Sequence, residues 1–137
     1  MTKVLIDTNI LVSAILSSQS IPSDAVRKAV EIPYQAFICE QSIEELRRVF
    51  NRKLPNKIME LDRFMAKFLP LVMVVPVPLM VHPSEEDIRD INDRPILRAA
   101  IEVGVDILIS GDKDFLESSV TNPRIVTAVE FVGLLRK

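Results

Sequence analysis

Cysteine, histidine and glycine are scarce in this chain, and each scarcity removes a class of chemistry. One cysteine, Cys39, and one histidine, His82, occur in 137 residues. A single cysteine forms no internal disulfide. One cysteine and one histidine cannot build a zinc site of Cys and His ligands, and they argue against a Ser-His-Asp or Cys-His nucleophile. Cys39 has no base marked beside it and reads as a small buried residue at a strand end. His82 lies in the proline-flanked stretch Val81-His82-Pro83 and reads as a loop residue. The three glycines, Gly104, Gly111 and Gly133, belong to neither GxGxxG nor GxxxxGK[ST], so a dinucleotide fold or a P-loop is unsupported. Aromatics are only 5%, which leaves few stacking platforms for bases. No apolar run approaches the roughly 20 residues of a membrane span. The apolar run after Met1-Thr2-Lys3 is too short for a signal peptide. The expectation is a cytoplasmic protein without a membrane contact.

What is present is ordinary in amount and uneven in placement. Apolar residues make up 48% and charged residues 26%, as in soluble globular domains. The length fits one domain, residues 1–137, with one real core. The chemistry left over is carboxylate: 19 Asp and Glu against 17 Lys and Arg, for a net charge of −2. A nucleic-acid binder is often basic. Several carboxylates gathered around a divalent ion offset that objection, because the ion reverses the local sign.

Apolar periodicity and breakers predict alternating strands and helices. Residues 3–6 form a short continuous apolar run, as in a strand buried on both faces. A helix follows over 10–16, with Asp7, Thr8 or Asn9 as its cap. A second helix spans 23–31 with Ser23 as cap. A strand covers 35–39. Ser42-Ile43-Glu44-Glu45 has the capping-box spacing and opens a helix to about residue 52. Asn56 caps a helix to about 69, with Met59, Phe64 and Phe68 on its apolar face. Residues 72–75 form a strand closed by Pro76 and Pro78, as suits an edge. Ser84 begins a helical turn. Residues 93–103 form a helix with Pro95 in its first turn and Gly104 as its stop. Strands over 106–110 and 124–126 and a closing helix over 128–136 complete the chain. This order argues for an α/β domain: a mainly parallel sheet with helices on both faces, a three-layer α/β/α sandwich.

In open α/β sheets the site lies beyond the carboxyl ends of the strands. Asp7 follows the first strand directly, and Asp112 follows the fourth after Ser110-Gly111. Glu45 falls in the first turn of the helix after the second strand, and Asp93 at the start of the helix before the fourth. Acids at helix N-termini are also favoured by capping and the helix dipole alone. Four at one sheet edge are harder to account for that way, because they repel unless a cation sits among them. Mg²⁺ or Mn²⁺ takes oxygen ligands of this kind. Such ions polarise a phosphodiester and activate a water without a histidine base.

The residues carry a resemblance. Val4-Leu5-Ile6-Asp7-Thr8-Asn9 resembles the opening of PIN domains. Asn92-Asp93-Arg94-Pro95-Ile96-Leu97 resembles the helix bearing their third acid. Ile107-Leu108-Ile109-Ser110-Gly111-Asp112-Lys113-Asp114-Phe115 resembles their last acidic motif, and Ser42-Ile43-Glu44-Glu45-Leu46 matches the helix bearing the second acid. Residues 125–131 fit the last strand and helix. The likeness spans essentially the whole chain, in the family's motif order. It is nearest the bacterial PIN toxins of toxin–antitoxin pairs, the VapC-like ribonucleases. The resemblance implies metal-binding acids at Asp7, Glu45, Asp93 and Asp112, with Glu45 preferred over Glu44, and an accessory acid at Asp114. It implies that Thr8, Asn9 and Ser110 support the site. It implies RNA cleavage by in-line attack of an activated water, leaving a 5′-phosphate and a 3′-hydroxyl. A small antitoxin partner and a homodimer are habits of the family's toxins. Asp90, one helical turn before Asp93, is a candidate outer acid of the site, and a solvated surface role is the plainer reading.

Arg47, Arg48, Arg52, Lys53 and Lys57 follow Glu45, and guanidinium groups bind phosphate well. Some of these flank the acidic site; a solvated basic face is the plainer reading. Two rival functions remain. A receiver-type signalling domain needs an acid pair after its first strand, where this chain has one Asp, and Asn9 likewise fills the second acid position of a D-x-D phosphatase. A catalytically silent scaffold or RNA-binding module would keep the fold but lose acids, and here all four are present.

Overall fold

A computed structural model describes residues 1–134. Its five strands are β1 (Thr2–Ile6), β2 (Tyr34–Cys39), β3 (Met73–Val75), β4 (Ile107–Ile109) and β5 (Arg124–Val126). Its helices are α1 (Thr8–Leu16), α2 (Ile21–Ala29), α3 (Glu40–Lys53), α4 (Ile58–Phe68), α5 (Arg94–Val103), α6 (Lys113–Leu116) and α7 (Ala128–Val132). The strands pair in the order β3-β2-β1-β4-β5, every pair parallel. The chain builds outward from β1 through β2 to β3, then crosses to β4 and β5 on the other side. The order reverses between β1 and β4, which is where an open α/β sheet leaves a crevice.

Alternation along the strands makes the three layers. Val4 and Ile6 of β1, Ile38 of β2 and Ile107 and Ile109 of β4 share a core with α1, α2, α3, α4 and α7. Leu5, Phe37, Cys39 and Leu108 face the other way, against Ile96, Leu97 and Ala100 of α5 and Phe115 of α6. Three consecutive residues of β1, Val4, Leu5 and Ile6, are therefore fully buried, because both faces are covered. Cys39 is buried at the end of β2, as expected.

Local chemistry moves several boundaries. α1 starts at Thr8, earlier than expected, because Asp7 itself occupies the cap position. α2 starts at Ile21 and is capped by Ser20, so Ser23 is not the cap; Pro22 is tolerated in the first turn, and Ser23 donates its backbone N–H to Ser20 Oγ at 3.3 Å. α3 runs on from β2 at Glu40, with no side-chain cap. Ser42 thus lies inside the helix, and Glu45 falls in its second turn. Asn56 sits in a short 3₁₀ turn (Pro55–Lys57) ahead of α4. The buried face of α4 is Leu61, Met65 and Phe68, and Met59, expected on that face, is 66% exposed. β3 is an edge strand, ending at Val75 with Pro76 next. Ser84 lies in the 3₁₀ turn Pro83–Asp87, whose cap position is His82. Gly104 closes α5 at φ 75°, where a residue without a Cβ is favoured. The closing helix is described to Val132, and positions 135 and 136 of the expected span lie outside the described residues. No helix of the described residues is long and apolar enough to cross a membrane.

Candidate metal centre

Asp7 stands where β1 ends and α1 begins, and only 3% of it is exposed. Its two oxygens have different duties. Oδ1 accepts the Thr8 N–H at 2.8 Å, which caps the helix. Oδ2 accepts the Ser110 hydroxyl at 2.7 Å, across from β1 to the end of β4. Ser110 Oγ in turn accepts the Asp112 N–H at 3.0 Å. One buried hydroxyl thus fixes two strand-end acids in relation to each other. Burial pushes the Asp7 carboxyl up to about 6, the two hydrogen bonds hold it down in part, and the charges of Glu45 and Asp112 push it further up.

Asp93 occupies the cap position of α5 but accepts no capping bond there. Its Oδ2 is buried and finds no donor among the described residues. It lies close enough to Asp112 to share a proton with it. Burial first, then that contact, then the charges of Asp112, Asp7 and Asp90 push its carboxyl up to about 8. Two acceptors facing each other with no donor between them form an arrangement that only a proton or a cation relieves.

Asp112 caps α6, its Oδ1 accepting the Asp114 N–H at 2.9 Å. Asp114 pairs with Arg89 (Nε to Oδ1 3.0 Å). Oxygens of Asp90, Asp93 and Asp114 all lie within 4.8 Å of one another. Asp90, expected on a solvated face, thus stands beside the expected acids. The Asp90 side chain also accepts the Asn92 N–H at 2.9 Å, just ahead of Asp93. Glu45 comes within electrostatic reach of Asp7 and accepts from Gln41 Nε2 at 3.0 Å. Gln41 also donates to the Asn92 carbonyl at 3.0 Å, tying α3 to the segment that carries Asp93. Asn9 Oδ1 accepts the Gly111 N–H at 3.3 Å and steadies the loop before Asp112.

Thr8 ties α1 to α3 by a contact the sequence did not suggest. Its hydroxyl donates to Ser42 Oγ at 2.8 Å, with both residues buried. Ser42 carries the capping-box signal, yet it faces inward with Leu46 and Phe50 at i+4 and i+8. That spacing was the available sign that it belongs to the buried face. A cleft of about 550 Å³ opens between α3 and the start of α5, with Glu44, Glu45, Arg48, Asp90 and Asp93 among its lining. Of the basic residues expected near the site, Arg48 lines this cleft. Arg47 turns towards α4 and pairs with Asp62 at 3.9 Å. Arg52 and Lys53 lie in the last turn of α3, beyond the cleft.

Comparison with known proteins agrees with this architecture. A family model described as PIN domain matches residues 3–114. No curated protein sequence matches the chain. Among solved structures, a chain of VapBC2 from Rickettsia felis, bound to a DNA fragment from their promoter, is similar at TM-score 0.68 and 16% identity, covering 92% of this chain and 98% of that one. A chain of DNA-bound VapBC from Salmonella typhimurium is similar at TM-score 0.67 and 15% identity, covering 93% and 99%.

Proposed function

Since the chain belongs to the PIN-domain family, we propose that it is a metal-dependent endoribonuclease and the toxin of a toxin–antitoxin pair. The observation that carries the reading is the convergence of acids at the β1–β4 switch point, with Asp93 Oδ2 buried and lacking a donor among the described residues. An all-oxygen donor set of this kind suits Mg²⁺ or Mn²⁺. Asp7, Glu45, Asp93 and Asp112 are the residues to hold the ion, with Asp90 and Asp114 beside them. A bound divalent ion supplies Lewis-acid polarisation of the phosphodiester and a more acidic water.

The chain's own groups divide the remaining work. Ser110 and the Thr8 N–H hold both oxygens of Asp7, so its orientation is fixed before any substrate arrives. Gln41 fixes Glu45 and the start of the Asp93 segment together. Asp93, with a carboxyl raised to about 8, and Asp7, raised to about 6, exchange protons near neutral pH and lose them when a cation enters. The whole of residues 1–137 is read as one such domain acting in the cytoplasm. The structural resemblance to chains of VapBC complexes supports a small antitoxin as partner. A homodimer is the assembly proposed for the toxin.

The test is incubation of labelled single-stranded RNA with the protein in Mg²⁺ or Mn²⁺ and in EDTA, beside Asp7→Asn and Asp112→Asn. Cleavage that needs the metal and drops at least about 100-fold in both variants supports the reading. Absence of cleavage from folded, antitoxin-free protein on several RNAs would sink it and favour a silent binding module.

A further inference from the structure

We propose that the substrate strand leaves the acidic centre along the Glu45 side of α3, with its phosphates on Arg48 first and Arg52 next. The inference rests on the nuclease reading and adds a direction for the strand and the residues that bind it.

Helical geometry selects these two from the basic stretch. At 3.6 residues per turn, Arg48 and Arg52 lie about 60° and 20° around α3 from Glu45, whereas Arg47 lies about 160° away. The observed contacts agree. Arg48 lines the cleft together with Glu45 and Asp93. Arg47 is turned to Asp62 of α4. Arg52 follows about 6 Å beyond Arg48 along the helix axis, at a rise of 1.5 Å per residue.

Three arginines on the opposite side of the site are already engaged. Arg89 pairs with Asp114 and Glu117, Arg98 is bound to buried Glu85, and Arg94 Nε donates to the Ile88 carbonyl at 2.9 Å. Arg48 stands among carboxylates in its cleft and, within the described residues, forms no ion pair with any of them. An exposed guanidinium held beside an acidic centre, and not paired to it, is available to a phosphate once the acids are neutralised by a cation.

Binding of a fluorescent single-stranded oligoribonucleotide, followed by anisotropy in Ca²⁺, a divalent ion that takes oxygen ligands, over a range of salt, separates this from a general basic surface. Arg48→Ala is expected to weaken binding roughly ten-fold and to reduce the salt slope by about 0.7, the value of one phosphate contact on a single strand. Arg48→Lys keeps the slope because it keeps the charge. Arg52→Ala weakens binding less than Arg48→Ala, and Arg47→Ala stays within about two-fold of wild type. Arg48 is exposed, so truncating it leaves the fold intact, as a thermal melt checks. Equal effects of Arg47→Ala and Arg48→Ala overturn the proposal. So does wild-type affinity in Arg48→Ala, and if wild type still cuts RNA in Mg²⁺ the nuclease reading survives that result. A wild type that neither binds nor cuts removes both.

Discussion

At the scale of single residues, the molecule keeps acids where a soluble domain would avoid them. Asp93 and Asp7 have carboxyls raised to about 8 and about 6 from an ordinary 3.8, chiefly by burial. A raised folded pKa means that the folded chain holds these protons more tightly than the unfolded chain does. Stability of the metal-free protein is then fullest below the ordinary value and falls as pH rises through the folded pKa values. In EDTA the melting temperature is expected to drop by several degrees between about pH 6 and about pH 8. Asp93→Asn flattens that stretch and leaves the part due to Asp7 at lower pH. Melting curves across this range check it; a wild-type curve flat from 6 to 8 would show that Asp93 is not strained. The gathering of Asp7, Glu45, Asp93 and Asp112 near one sheet edge was legible in the sequence because strand-end and helix-start positions are set locally. The Thr8 contact of Ser42 and the closeness of Asp90 to Asp114 were not. Ser42 bonds to a residue 34 positions away, and Asp90 meets Asp114 only after α5, β4 and α6 have folded back.

At the scale of elements, the segment between β3 and α5 depends on one buried ion pair. Glu85 lies in the 3₁₀ turn Pro83–Asp87 and is 1% exposed. Arg98 of α5 meets it with Nε at 2.9 Å and Nη2 at 2.8 Å, and its Nη1 donates to the Pro78 carbonyl at 3.0 Å. The guanidinium contact holds the Glu85 carboxyl below its ordinary value. This stabilisation is present above the ordinary carboxylate range and lost as pH falls below it, opposite in sign to Asp93. Arg98→Ala leaves a buried carboxylate without its cation and is expected to cost about 3–5 kcal/mol, measured by urea unfolding at neutral pH. Replacing both, as Glu85→Leu with Arg98→Met, should recover much of that loss. A loss below about 1 kcal/mol in the single variant would mean the segment is held by its apolar contacts, such as buried Ile88. Element positions were largely readable from periodicity. The starts of α2 and α3 were not, because two serines compete for the first cap and the second helix needs none.

At the scale of the whole molecule, the sheet order gathers acids from four separate stretches of chain into one crevice. A cation that binds there binds only the folded state. Mg²⁺ or Mn²⁺ at about 100 times its dissociation constant should add about 2.7 kcal/mol of stability, seen as a rise of roughly 9 °C in melting temperature. Asp7→Asn or Asp112→Asn should abolish most of that rise. An equal rise in these variants would place the ion elsewhere.

The sequence alone determined the fold class, the strand ends and the acids that stand at them. Each of these follows from period-two burial, period-3.6 burial and the residue that breaks a run, all within a window of a few positions. Only the tertiary structure decided which acids stand close together, which arginine faces the cleft and which hydroxyls meet across the sheet. Those depend on the β3-β2-β1-β4-β5 order, which sets β1 beside β4 and so Asp7 beside Ser110, 103 positions along the chain. Local pattern carries no record of such a contact, since it comes from packing both faces of one sheet.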